Sequence, residues 1–342
     1  MSFILYERKR DFFGGDPELV RRNVEQMLAI SPDEKRVAWI KDDEVHVVAL
    51  ANSEDVIVAK AEEDRDFYAP AWSPDGRFLA FETRRPRWDV PHVTKKVSIT
   101  IIETGSGIRK EIPLPAEIES VSALTWLPSG KEFLVLFQKA SYSGVRNPGD
   151  QFAALSLTGK FRQITNDMTP HSGISLSTNG KSVVTLVQQG NSEVSIFDSA
   201  GVTLSSAARF PRDMQTVNWV GDDRLFAFDP WPVSLRLDTG EVSDIALKFP
   251  AEVQEHGSWS SSEVNSTSAP CSSDRILIAG DLDGVDQLYL IDTNGQFVKT
   301  LLKTWANSMF CSQGAGLVYY VDRSVNDPAI WSMRLADETT QQ

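Results

Sequence analysis

Hydrophobic positions along this chain come in short runs separated by tight polar turns, and the pattern repeats. The clearest copy reads Pro70-Ala71-Trp72-Ser73-Pro74-Asp75-Gly76-Arg77-Phe78-Leu79-Ala80-Phe81, an apolar strand, a turn and a second apolar strand. Pro74 presets φ for a turn, Asp75 is able to bond its own backbone, and Gly76 accepts a positive φ, so the flanking runs are predicted to pair as a hairpin. The pattern returns as AISPDEKRVAWI (29–40), TWLPSGKEFLVLF (125–137) and SLSTNGKSVVTLV (175–187). Weaker copies are NWVGDDRLFAF (218–228), APCSSDRILIAG (269–280) and MFCSQGAGLVYYV (309–321). Aligned on the residue before the turn, the copies are anchored at Ser31, Ser73, Leu127, Ser177, Val220, Cys271 and Cys311, at intervals of 40 to 54 residues.

Each hairpin is followed by a third run of β-branched and aromatic alternation, among them EVHVVAL, VSITIIE, EVSIFD, QLYLID and AIWSMRL. A turn and a fourth run usually come next, with Gly240 and Gly295 placed for the tight connection. Four strands per unit and a period of roughly 40 to 50 residues define a propeller blade. The predicted fold is therefore all-β, a single seven-bladed β-propeller over residues 1–342, with six or eight blades as the alternatives. The last copy lacks room for a fourth strand after 329–335, so an N-terminal strand is expected to complete it and close the ring, which hides lateral edges. The strand-like FILYER at 3–8 is the predicted closing strand, whereas DPELVRRNVE at 16–25, with Asp16 as cap and Pro17 in the first turn, reads as a helix.

The Ala-Trp-Ser-Pro-Asp-Gly-Arg-x-Leu-Ala-Phe form at 71–81 resembles the WD40-like repeat of TolB-type propellers, and copies of it cover nearly the whole chain. That resemblance implies the fold and little chemistry. TolB-like propellers are commonly six-bladed with a small α/β domain, for which the copies here leave no room. No GxSxG nucleophile elbow is present, so the peptidase chemistry of propeller-bearing oligopeptidases is not implied either.

The formal net charge of −13 and the absence of a basic run longer than Arg8-Lys9-Arg10 argue against nucleic acid and anionic membranes as partners. The N-terminus has too short an apolar stretch for a secretory signal and no run is long enough to span a membrane, so the expected address is cytoplasmic, or outside the cytoplasm if a leader was removed. Cys271 and Cys311 share a repeat position in adjacent units and are expected as small buried thiols, a disulfide requiring Cα atoms within roughly 7 Å.

In a four-stranded meander the loops from second to third strand and those entering the next blade share one face, the predicted binding face. The long insertions 84–96, 139–150 and 249–264 fall there. They and a neighbouring loop supply the candidate ligand-binding residues Arg85, Trp88, His92, Tyr142, Arg146, Trp231, His256 and Trp259. Large aromatics and arginines dominate binding hot spots, and a cationic aromatic cluster in an acidic chain suits an acidic or polar ligand. The leading reading is a non-catalytic scaffold for a protein, peptide or glycan, with no catalytic residue, metal or cofactor. One alternative is a metal-assisted carbohydrate lyase or hydrolase using His92, His171 and His256, and the other a sensor domain of a longer receptor or kinase chain. Asp281, Asp283 and Asp286 lack the remaining spacing of a calcium loop and read as a hairpin turn, while His46 lies in an alternating strand and reads as structural.

Overall fold

The computed structural model describes residues 18–22, 28–41, 43–62, 65–84, 97–139, 149–166, 169–177, 179–188, 192–198, 203–209, 214, 216–221, 223–228, 232–248, 259–260, 268–282, 285–302, 306–312, 316–322 and 329–335. These residues form seven antiparallel sheets and, among the described residues, no helix. The first six sheets follow chain order. Blade 1 comprises Leu28–Ile30, Arg36–Lys41, Glu44–Ala49 and Asp55–Lys60; blade 2 comprises Asp66–Trp72, Phe78–Arg84, Ser98–Glu103 and Arg109–Pro113. Blade 3 runs through Ile118–Trp126, Glu132–Lys139, Gln151–Ser156 and Phe161–Gln163, and blade 4 through His171–Leu176, Ser182–Gln188, Ser192–Asp198 and Thr203–Arg209. Blade 5 comprises Thr216–Val220, Arg224–Phe228, Pro232–Arg236 and Val242–Asp244; in blade 6, Trp259–Ser260 and Ser268–Pro270 both pair with Arg275–Leu282, followed by Val285–Asp292 and Phe297–Leu302. Blade 7 pairs Ala306–Ser312, Leu317–Asp322 and Ala329–Arg334 with Glu18–Arg22 from the other end of the chain.

The ring is thus closed by an N-terminal strand, but by a different segment from the one predicted. FILYER at 3–8 lies outside the described residues, and Glu18–Arg22, inside the predicted helix 16–25, is the strand that registers antiparallel with Ala329–Arg334. A five-residue segment has weak intrinsic preferences, and an open sheet edge offers its backbone a complete set of hydrogen bonds. Pairing overrides the local helix signal.

The core is divided among the seams. Apolar faces of successive blades meet in seven clusters, one for each junction around the ring. The largest fills the seam between blades 2 and 3 with Ile99, Ile101, Val121, Trp126, Phe133 and Phe137. Three tryptophans, each immediately before the turn residue, tie their blade to the preceding one. Trp72 Nε1 donates to the Ala29 carbonyl, Trp126 Nε1 to that of Ala71 and Trp219 Nε1 to that of Ser175, each at 3.0 Å.

The turns themselves carry the chemistry read from the repeat. Ser73 Oγ donates to Asp75 Oδ1 at 2.5 Å and accepts from the Phe78 N–H at 2.9 Å, while Asp75 accepts from the Arg77 N–H at 3.0 Å. Ser31 with Asp33 and Ser177 with Asn179 repeat the arrangement. Gly76 and Gly180 sit at φ +68° and +69°, and a Cβ on Gly180 would lie 2.1 Å from Pro128 Cγ of the preceding blade. The hydroxyl of Ser73 holds the Asp75 carboxyl below the ordinary carboxylate range.

The two cysteines are bonded to each other. Cys271 and Cys311 are buried, with Cα atoms 4.8 Å apart, and form a disulfide between blades 6 and 7, in place of the free thiols expected. The two inner strands belong to different sheets, and the ring brings their equivalent positions side by side although no ladder joins them.

Candidate ligand-binding face

Alternate connections of each meander emerge on opposite faces, so the Ser-Asp turns occupy one rim and the second-to-third-strand loops the other. Of the predicted contact residues on that second rim, Arg85, Trp88, His92, Tyr142, Arg146, Trp231 and His256 lie outside the described residues. Trp259 is placed by its backbone alone. Trp259–Ser260 is a short strand opposite Leu282 and Asp281, so part of the predicted 249–264 loop extends blade 6.

The structure does describe the strand ends from which these loops spring. On blade 2 the Arg84 guanidinium lies 3.9 Å above the Tyr68 ring, and the Tyr68 hydroxyl donates to Asp66 Oδ2 at 3.1 Å. Arg84 is 26% exposed in its side chain, and burial pushes the Tyr68 phenol above its ordinary range. Beneath them lies Glu82, fully buried, its Oε1 accepting from the Val121 N–H of blade 3 at 2.8 Å and 3.7 Å from Arg84 Nη1. Burial raises the Glu82 carboxyl to about 7, with Arg84 and the Val121 amide opposing that shift.

Blade 3 continues the polar rim. Asp150 accepts from Ser122 Oγ and, at 2.5 Å, from Gln138 Nε2; Lys139 Nζ reaches Gln163 Oε1 at 3.0 Å. His171 opens the inner strand of blade 4, buried, its N–H bonded to the Asp150 carbonyl at 3.0 Å. It is the one member of the predicted His92, His171 and His256 group among the described residues. Among the described residues no three His, Cys, Asp or Glu side chains gather as a metal site.

Two smaller readings can be checked. His46 is buried, stacked on Trp39 at 4.2 Å between ring centroids, with Nδ1 3.1 Å from Asp55 Oδ2, a packed role as predicted. Asp281 and Asp286 oppose each other across a hairpin, which is the turn expected.

On the opposite rim a cleft of about 340 Å³ is lined by Arg36, Asp75, Arg77, Glu103, Thr104 and Ser106. Arg36 donates to the Gly76 carbonyl at 2.6 Å and to Thr104 Oγ1 at 3.1 Å, and Arg77 pairs with Glu103 at 2.7 Å. Arg36 thus fastens blade 1 to blade 2 through neutral acceptors, while Arg77 and Glu103 pair within blade 2.

Reading the sequence for loops missed Tyr68, Ser122, Gln138, Asp150 and above all Glu82. A signal for the last was available. Glu82 is the fifth residue of the second strand of its blade, and the same position holds Ile40, Leu136, Leu186, Phe228, Ala279 and Val321 in the others. One acid stands in a column of apolar residues.

Comparison with known proteins bears on the fold. No family model matches the chain, and no curated protein sequence matches it. Solved structures do. The β-propeller domain of Cps50 (Swd1) from Myceliophteria thermophila matches at 12% identity and a TM-score of 0.64, over 92% of this chain and 99% of that one. An oligogalacturonate lyase in complex with manganese matches at 14% identity and 0.58, over 76% of this chain and 74% of that one. A prolyl endopeptidase matches at 14% and 0.60, over 92% of this chain but half, 50%, of that longer one. At such identities the likeness establishes architecture: this is a seven-bladed β-propeller. Its neighbours include enzymes and a propeller domain of another kind, so activity does not follow from shape.

Proposed function

We propose that the chain is a binding module that takes a carboxylate-bearing ligand, a peptide or a glycan, on the rim of blades 2 and 3. The observation that carries this reading is the Arg84–Tyr68 pair, a half-buried guanidinium stacked on an aromatic ring at the root of the 85–96 loop. Such a pair is pre-organised, so little side-chain freedom is lost when a carboxylate docks on the fork. The loop that follows adds Arg85, Arg87, Trp88, His92, Lys95 and Lys96, and the next insertion adds Tyr142 and Arg146. The repeat at 71–81 resembles that of WD40-like, TolB-type propellers, and this reading treats the fold as a platform for the loops at its rim.

The test is titration calorimetry of the whole chain with an acidic peptide and, separately, an oligogalacturonate. Arg84→Ala is expected to weaken binding at least tenfold, about 1.4 kcal/mol. Failure of both ligands to bind, or binding indifferent to Arg84→Ala, would remove the reading.

A second reading, a metal-assisted polysaccharide lyase, is favoured by the likeness to oligogalacturonate lyase and by the position of His171 on this rim. Cleavage of oligogalacturonate that is abolished by a chelator would establish it in place of the first.

A further inference from the structure

Glu82 is out of keeping with everything around it. All six sister positions are apolar in sequence, and the side chains of Ile40, Leu136, Leu186 and Ala279 pack against the following blade, where Glu82 inserts a carboxyl. It stands in the largest apolar seam of the ring, at 0% exposure. Its Oε1 has one hydrogen bond, from the Val121 N–H, beside a register shift in the inner strand of blade 3; its Oε2 has no hydrogen-bond partner. Arg84 Nη1, at 3.7 Å, is beyond hydrogen-bond distance and its guanidinium is engaged with the Tyr68 ring instead. An ionised carboxylate in such a place would have its charge unsolvated and met only at 3.7 Å by a guanidinium that lies on the Tyr68 ring, whereas a neutral carboxyl needs little more than the bond it has.

The charged and titratable groups on the packed strands are few. Asp66 and Tyr68 lie on the inner strand of blade 2, Arg84 on Glu82's own strand, Glu103 at the far end of the third strand, and Glu119, Glu132 and Lys139 on blade 3. Of these, Arg84 is the one whose charge lowers the Glu82 carboxyl, and it does not offset burial.

We propose that Glu82 is a proton-binding site built into the seam between blades 2 and 3, a device that makes the tightness of that seam depend on pH. Neutral Glu82 sits among the apolar side chains and holds Val121, leaving Arg84 on Tyr68. When Glu82 releases its proton to solvent, the carboxylate draws the guanidinium inward and the seam loosens. Burial raises the folded-state carboxyl from 4.5 to about 7, so the folded chain keeps its proton where the unfolded chain has lost it. The contribution of Glu82 to stability is greatest below pH 4.5, falls as pH rises from 4.5 towards 7, and levels off above 7.

The experiment is thermal unfolding of the full chain from pH 5 to pH 8.5, comparing the native protein with Glu82→Leu and Glu82→Gln. Leucine is the residue of the sister positions in blades 3 and 4. The Glu82→Leu midpoint is expected to exceed that of the native protein by an amount that grows with pH and then levels off above neutrality. A difference independent of pH, or one that shrinks as pH rises, would overturn the proposal. Should neither variant fold, the native protein still decides it: the Val121 amide resonance is expected to titrate with a midpoint near 7, and a midpoint below 5 would show Glu82 ionised throughout and sink the idea.

Discussion

The seam between blades 2 and 3 and the seam between blades 6 and 7 solve one problem with different chemistry. In the first, Trp126 reaches back to the Ala71 carbonyl across a large apolar cluster. In the second, the residue in the tryptophan position is Phe310, which has no N–H to donate and is 37% exposed. The turn residues beside it, Cys271 and Cys311, supply a covalent bond instead. The seam with the hydrogen-bonded clip also tolerates a buried acid, Glu82, which is the one fully buried acid among the described residues. Blades are therefore interchangeable in backbone but individually fastened, and the fastening is decided by two or three residues around each turn.

The comparison is most strongly challenged by cutting the covalent seam. Replacing Cys271 and Cys311 together with serine should lower stability by about 4 kcal/mol, the chain-entropy expectation for a loop closed across roughly 40 residues. Denaturant unfolding with and without reductant measures this, and an unchanged midpoint would mean that packing alone closes blades 6 and 7. At the polar seam the sign reverses. Glu82→Leu should stabilise the protein by up to ~3 kcal/mol above neutral pH and by much less at pH 5, from the free-energy equivalent of the carboxyl's shift. Next comes the clip itself: Trp126→Phe leaves the Ala71 carbonyl without its donor and should cost about 1 to 2 kcal/mol, whereas Phe310→Leu, where no donor exists, should cost less in the same assay. Smallest is the turn. Ser73→Ala removes one acceptor for the Phe78 N–H and one donor to Asp75, and should cost about 1 kcal/mol with no effect on ligand binding at the other rim.

How much of this could be read in advance depended on whether a residue acts through its own backbone or through distant ones. Ser73, Asp75 and Gly76 bond within their turn, so spacing alone announces the hairpin and, through its recurrence, the seven sheets. Glu18–Arg22 has no such local chemistry; its strand is imposed by the free edge of Ala329–Arg334, more than 300 residues away along the chain. The disulfide was half legible, since the cysteines share a repeat position, but their 4.8 Å approach is a product of ring geometry. The proposed binding face was read from insertions rich in Arg, Trp and Tyr, and the structure describes side chains at the roots of those insertions, Tyr68, Arg84 and Asp150, with nothing in the local pattern to mark them. Glu82 became visible once the strands were aligned with one another, because its oddity is measured against sister blades and not against its neighbours in sequence.

The self-contained Ser-Asp turn has a consequence for how such a ring can diversify. Because each of these turns satisfies its backbone with its own side chains, that rim acts as a chassis that requires no help from the connections at the other end of the strands. Lengthening a connection there costs little, about 0.6 kcal/mol for each doubling of a flexible loop. Changes in the length or sequence of 85–96 and 140–148 are therefore expected to leave the Ser73 and Ser177 turns as they are, so the two ends of each strand can vary independently.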